Sequence, residues 1–243
     1  MSNHSFSKSA AIGYGWRIMK SNFWFFLKLE VVFVVVMVLL AIAPLVVPNG
    51  MRFSLVTGLG LFVLGVVRFV VQLTMGLGLV KITLNLYDNL VVSVIDLFRL
   101  YKLVVKFFIA SIFVGIGCLP ILIAILVAQR SVFFGAVLAL VFAIFAILWT
   151  LRLSFYRYFL VDRCCGIFAS LEKSGAITKG HVWNLFCFYI LLGIINMVGA
   201  FCLLIGLIAT IPMSMMATVF VYRQLLMLWE EREAGKADIA VEN

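Results

Sequence analysis

The chain has 243 residues, 65% of them hydrophobic and only 12% charged, with a mean hydropathy of +1.22. Such a composition excludes a soluble globular domain, which needs a polar shell around its core. The net charge is +9, but apolar runs divide the charges among four stretches. That division suits cytoplasmic loops facing anionic head groups and excludes a nucleic-acid-binding face.

A bilayer core is crossed by about 20 apolar residues, and six stretches meet that length. They run from Val31 to Val47, Ser54 to Val80, Phe107 to Ala128, Val132 to Leu151, Trp183 to Val198 and Phe201 to Tyr222. The fifth is short or strongly tilted, since only Gly199 and Gly206 signal a turn between Trp183 and Tyr222. Outer connections are brief: Pro48 to Phe53, Gln129 to Ser131, and a turn near Gly199. The first apolar run starts too far along the chain for a cleaved signal peptide and is expected to be a retained helix. Residues 1–233 form a single membrane domain in this reading, followed by a short disordered cytoplasmic tail over 234–243.

Orientation follows from Lys and Arg. Sixteen of the nineteen fall on the side of the termini, Arg52 and Arg130 on the other, and Arg68 inside the second span. The positive-inside bias therefore puts both termini in the cytoplasm. Trp16, Trp24, Trp149, Trp183 and Trp229 lie at the inner ends of spans, where indole rings favour the head-group region. Polar partners are expected on the cytoplasmic face, because the outer connections are too short for a binding domain.

Each pair of spans is preceded by a segment with helical periodicity that is too polar to cross. Ile12, Trp16, Met19 and Phe23 make the first stripe; Val94, Leu97, Phe98, Tyr101 and Val105 the second; Cys164, Ile167, Phe168 and Leu171 the third. The expected fold is all-α and integral to the membrane: six transmembrane helices as three hairpins, each entered through an interfacial amphipathic helix. The first and third units align at an offset of 159 residues, pairing Ile18 with Ile177, Lys20 with Lys179 and Trp24 with Trp183. An internal repeat and a coincidence of membrane-entry sequences both account for those matches.

Val161-Asp162-Arg163, Ala169 to Ser174, Ile177 to Trp183, Asn196 to Gly199, Ile205 to Pro212 and Val221-Tyr222-Arg223 follow in that order. Gly76-Leu77-Gly78 and Ile95 to Phe98 complete a set covering most of the chain. This set resembles bacterial six-helix inner-membrane proteins, including the membrane domain attached to some glycerophosphoryl diester phosphodiesterases. The resemblance implies six spans in the bacterial inner (cytoplasmic) membrane with cytoplasmic termini. It implies no catalysis, since the fused phosphodiesterases keep their chemistry in a separate soluble barrel.

Arg68 is the residue most costly to keep inside a span. Gly58, Gly65, Arg68, Gln72 and Gly76 share one helical face, a small and polar stripe that admits a neighbouring backbone. Arg68 and Gln72 are therefore candidate ligand-binding residues. Carbonyls freed near Pro44, Pro120 or Pro212 and an anionic lipid or substrate group are the acceptors to consider. A second candidate set, Arg99, Lys102, Lys106, Arg157, Arg163 and Lys179, forms a cytoplasmic interaction surface. Asp162 is expected to pair with Arg163 or another base, and Glu172 with Lys173 or Lys179.

His4 and His181 are far apart and the five cysteines have no ligand spacing, so no metal or other cofactor is expected. Nucleophile and phosphate-loop motifs are missing, which argues against an enzyme. The expected function is a non-enzymatic multipass protein that organises lipid or protein partners from its cytoplasmic face. Its expected partners are membrane lipids with anionic head groups and a membrane protein or a second copy of the chain, and no nucleic acid. The alternative is a transporter or lipid translocator in which Arg68 contacts an anionic group.

Overall fold

A computed structural model describes residues 6–42, 55–202 and 206–242. Among them there is no strand, and six helical segments are long and apolar enough to cross a membrane. This fits a multi-pass membrane protein. The helices are α1 (Lys8–Ser21), α2 (Phe23–Ile42), α3 (Leu55–Tyr87), α4 (Val104–Ile116), α5 (Leu119–Ala128), α6 (Val132–Arg152), α7 (Tyr156–Asp162), α8 (Ile167–Thr178), α9 (Val182–Phe201) and α10 (Leu207–Glu242). The expected Pro48 to Phe53 connection, with Arg52, Pro44 and His4, lies outside the described residues.

Local chemistry explains most of the boundaries. Ser7 caps α1 by accepting from the Ala10 N–H at 3.4 Å. At the end of α3, Asn89 takes a left-handed φ of 56°, and the Leu90 N–H returns to the Asn85 carbonyl at 2.8 Å. This six-to-one closure satisfies carbonyls that the helix would otherwise leave open. The third span is broken between α4 and α5, just before Pro120, and the Cys118 N–H turns back to Gly115 at 2.9 Å instead of reaching Val114. The freed Val114 carbonyl accepts from the Trp149 indole N–H at 3.2 Å, and a Cβ on Gly117 would strike that ring at 2.1 Å. Trp149 is thus half-buried inside the bundle as a helix-break cap, whereas its position in the sequence suggested a head-group anchor.

The fifth span needs no unusual tilt. α9 is 20 residues long, the break falls after Phe201, and Gly199 stays inside the helix where a Cβ would meet Thr210 Oγ1 at 2.6 Å. Beyond Glu233 the chain continues as helix to Glu242, so 234–242 is helical where the sequence suggested a disordered tail. Ala234, Lys236 and Ala237 are good helix formers that extend the preceding Glu- and Arg-rich turn.

α10 is the central helix, with Met213, Met216, Ala217, Val219, Val221, Tyr222 and Leu225 all buried. α1 lies along it through Ala11, Gly15 and Met19, and a Cβ on Gly15 would come within 2.4 Å of the Met213 carbonyl. Of the expected stripe of Ile12, Trp16, Met19 and Phe23, Met19 is buried and Ile12 is partly buried against the core, while Trp16 and Phe23 are exposed. The reason is steric: two helices that approach this closely need small residues between them, and the large aromatics stay outside. The other entry segments follow suit. Residues 94–103 form two short 3₁₀ turns that bury Asp96 and Leu97, leaving Ile95 and Tyr101 exposed. α8 buries Ser170, Ser174, Ile177 and Thr178 and exposes Phe168. Trp24 and Trp183, each the second residue of a long helix, are 72% and 73% exposed.

Gly15 supplies a direct check on the α1–α10 crossing. Gly15→Leu should lower the melting temperature in mild detergent by the equivalent of about 1–3 kcal/mol, the usual cost of overpacking. Gly13→Ala, whose Cβ meets nothing within 4 Å, should not lower it. Equal melting of Gly15→Leu and wild type would show that α1 does not pack there.

Candidate functional site

The ends of α3 and α7 converge on one guanidinium in the middle of α10. Arg223 Nη1 and Nη2 donate to the two carboxylate oxygens of Asp162 at 3.0 and 3.1 Å, and Nη2 also reaches Asp88 Oδ2 at 2.5 Å. Tyr222 donates to Asp162 at 3.0 Å, while Arg163 pairs with Glu230 at 2.6 Å and lies 3.6 Å from Asp162. Asp162 therefore has its expected Arg163 partner and a stronger one in Arg223. The Arg223 and Asp162 side chains are only 17% and 15% exposed. A bidentate pair of this kind positions groups better than it stabilises them, though removing one partner costs about 3–5 kcal/mol.

A second polar joint fixes the bend between α6 and α7. Ser174 Oγ accepts from the Phe155 N–H at 3.1 Å and donates to the Arg152 carbonyl at 3.0 Å, where Thr178 Oγ1 also donates at 3.1 Å. The buried hydroxyls of α8 thus satisfy backbone groups left open where α6 ends. Lys173 approaches Cys165 Sγ at 3.6 Å, and Glu172 forms no ion pair with either lysine expected for it among the described residues.

Beside these joints α3, α4, α5, α6, α7, α9 and α10 line an open-sided cavity of about 1090 Å³, slightly larger than the usual small-molecule site. Its wall is mostly apolar, with Leu79, Val80, Val114, Ile121, Ala146, Ile147, Phe186, Ile190 and Ile211 among the lining residues. The polar groups are graded along it. Thr150, Ser154, Tyr156, Arg157 and Tyr158 line the end nearer the ion-pair cluster. Asn196 and Ser214 line the wall farther away and hydrogen-bond to each other at 3.1 Å. Arg157 stands about 7 Å along the chain from Asp162, whereas Ala143 stands about 14 Å and Asn196 about 21 Å from the inner ends of their helices, at 1.5 Å per residue.

Arg157 is the one charged residue among the described lining residues. Its guanidinium rests 5.6 Å from the Phe107 ring centre and 5.7 Å from that of Tyr156, two rings that are themselves stacked at 5.9 Å. Tyr156 is anchored in turn by Ser111 at 2.9 Å. No described carboxylate pairs with Arg157.

The remaining expected site residues are dispersed. Arg68 and Gln72 are exposed on α3 and do not line the cavity, and Arg68 hydrogen-bonds to no described residue. Arg68 stands about 30 Å before Asp88 along the helix and about 20 Å after its first described residue, Leu55. Lower on the same face, Gly76, Leu79 and Thr83 do line the cavity. Arg99 pairs with Asp96 at 2.9 Å, Lys102 lies over Tyr101, and Lys106 and Lys179 are exposed. The six cations proposed as a single surface are all exposed; Arg157 also borders the cavity, and Arg163 and Arg99 are also ion-paired. Sequence reasoning missed Asp88, Asp162 and Arg223 as one cluster, and Tyr158, Tyr189 and Asn196 as cavity residues. The alternation of Ser154, Tyr156 and Tyr158 beside Arg157 was the available signal for the cavity. Among the described residues no group of His, Cys, Asp and Glu is arranged to hold a metal ion.

Searches of family models, curated proteins and solved structures each returned no match to this chain.

His181 connects the cluster region to the end of α10, because Arg232 Nη2 donates to His181 Nε2 at 3.2 Å. Burial, and secondarily the Arg232 charge, push the imidazole below its ordinary value and keep it neutral. A depressed folded-state value means the contribution is present above the unfolded value near 6.5 and is lost as pH falls through the folded one. The melting temperature of wild type should accordingly fall between pH 7.5 and pH 5 by more than that of His181→Gln, which keeps an acceptor but cannot titrate. Parallel pH profiles would remove His181 from the account.

Proposed function

We propose that this protein is a non-enzymatic, multi-pass membrane protein that holds a lipid in the cavity between α3, α6, α9 and α10. The single observation that carries the proposal is the cavity itself: a long, mostly apolar wall whose one charged described residue, Arg157, stands at the end nearer the ion-pair cluster. That gradient matches an amphiphile, whose chains replace lipid contacts and whose head group needs polar partners. The distribution of Lys and Arg supports placing the ion-pair cluster and both termini on the cytoplasmic side of a bacterial inner membrane. Three hairpins, each entered through a boundary segment, are part of this reading, supported by the matching exposure of Trp24 and Trp183. The resemblance to phosphodiesterase-linked membrane domains agrees with it in span number. Lipids are favoured over a protein partner because the cavity lining is contiguous and mostly apolar.

Gly193 tests the cavity cleanly, since it lines the space and an added Cβ meets nothing within 4 Å. Gly193→Trp should fill the volume without displacing a neighbour. After exhaustive detergent exchange, wild type should retain about one lipid phosphorus per chain and Gly193→Trp should retain almost none. Equal retention would place the lipid elsewhere or nowhere.

A second reading, lipid translocation, is favoured by the face of α3 that carries Gly76, Leu79 and Thr83 inside the cavity and Gln72 and Arg68 beyond it. Reconstituted protein would then exchange a fluorescent lipid between leaflets, and Arg68→Ala would slow that exchange at least about tenfold. Identical rates with and without protein would exclude this activity.

A further inference from the structure

The cavity reading leaves the head group unspecified, and the ion pairs around it narrow the choice. We infer that the cavity selects a lipid whose head group is a phosphate with net negative charge, and that Arg157 is the residue that discriminates it. The inference rests on the proposed lipid site and adds the class of its ligand.

Three observations support it. Arg163 and Arg223 spend their charge on Glu230, Asp88 and Asp162, so the carboxylates nearest the cavity already have partners. Arg157, by contrast, donates to no described carboxylate, and a guanidinium carries five N–H donors in a fork that fits phosphate oxygens two at a time. The Phe107 and Tyr156 rings both lie within cation–π distance of the guanidinium and accept no hydrogen bond from it in the plane of its donors, so its N–H groups have no described acceptor.

The lining also explains the selection against other head groups. A zwitterionic lipid would bring a cation beside Arg157, and no described lining residue carries a carboxylate to receive it. Discrimination therefore comes from repulsion as well as attraction. A soluble phosphate would satisfy Arg157 but leave the wall formed by Ile121, Ile147, Ile190 and Ile211 empty, so the apolar body is needed for retention. Since Arg157 lies near the charged end, the head group sits at that membrane boundary with its chains directed into the cavity.

The test is native mass spectrometry of the full chain in mild detergent with equimolar phosphatidylglycerol and phosphatidylcholine, and with inorganic phosphate as a separate competitor. Wild type should retain phosphatidylglycerol about tenfold over phosphatidylcholine, in line with one charged hydrogen-bonded contact. Arg157→Gln should reduce the ratio to about one, Arg157→Lys should give an intermediate value, and Lys106→Gln, an exposed cation off the cavity, should keep the wild-type ratio. A ratio near ten in Arg157→Gln, or near one in wild type, would overturn the assignment of Arg157 while leaving a lipid cavity in place. Displacement of phosphatidylglycerol by millimolar phosphate would overturn the lipid as the source of the anion. Undiminished retention of both lipids in Gly193→Trp would instead remove the cavity reading itself.

Discussion

Arg223 draws together two carboxylates that lie 61 and 135 residues away in the sequence, and the geometry of the bundle depends on that junction. Asp88 follows the last turn of α3, Asp162 ends α7, and Arg223 belongs to α10. The ends of two helices are thus pinned to the middle of a third by a planar group whose donors fix direction as well as distance. Tyr222, next in the chain, closes the pin from below by stacking on Tyr158 at 5.1 Å and donating to Asp162. With the charged end tied, the same helices can separate farther along, and the cavity lies where they do.

Packing is uneven along the bundle in the same sense. Buried side chains concentrate in residues 75–110, 151–161, 177–192 and 213–226, while the described outer stretch of α3 from Leu59 to Val70 is largely exposed. In water such a surface would be untenable, but lipid chains solvate it without penalty. Close contacts inside the bundle are made by small residues: Gly15 on Met213 and Ala217, and Gly78 on the Leu97 backbone. Backbone groups opened by breaks are closed by side chains from other elements, Trp149 at Val114 and Ser174 at Arg152. These are the two devices by which helices associate where the hydrophobic effect between them is absent.

This explains what could be read from the residues alone. The six spans were legible because long apolar runs admit few alternatives, and their ends shifted mainly where charged or aromatic residues continue a helix, as from Val80 to Tyr87. Gly76-Leu77-Gly78 and Ile95 to Phe98 stood out in the sequence only through a resemblance; the fold brings them into contact, Gly78 lying against Leu97. The entry segments were read as interfacial amphipathic helices, and in the fold their stripes divide between residues packed on the core, such as Met19, Leu97, Ile167 and Leu171, and exposed aromatics. In a membrane the large apolar side chains of Trp24, Phe168 and Trp183 can face outward, and Gly15, Ser170 and Ser174 make the contacts.

The site was less legible for a related reason. Arg68 drew attention because it interrupts a span in one dimension, but its side chain is exposed on α3. Arg157 looked like one loop cation among many, and only the packing of α4, α6 and α9 around it reveals a lipid-sized space. Photocrosslinking with a phospholipid bearing a diazirine on its acyl chain, followed by peptide mapping, tests that space most directly. The account predicts adducts concentrated on Ala143, Ile147, Ile190 and Gly193. Adducts confined to the outward-facing belt of Val34, Phe62 and Leu126 would contradict it.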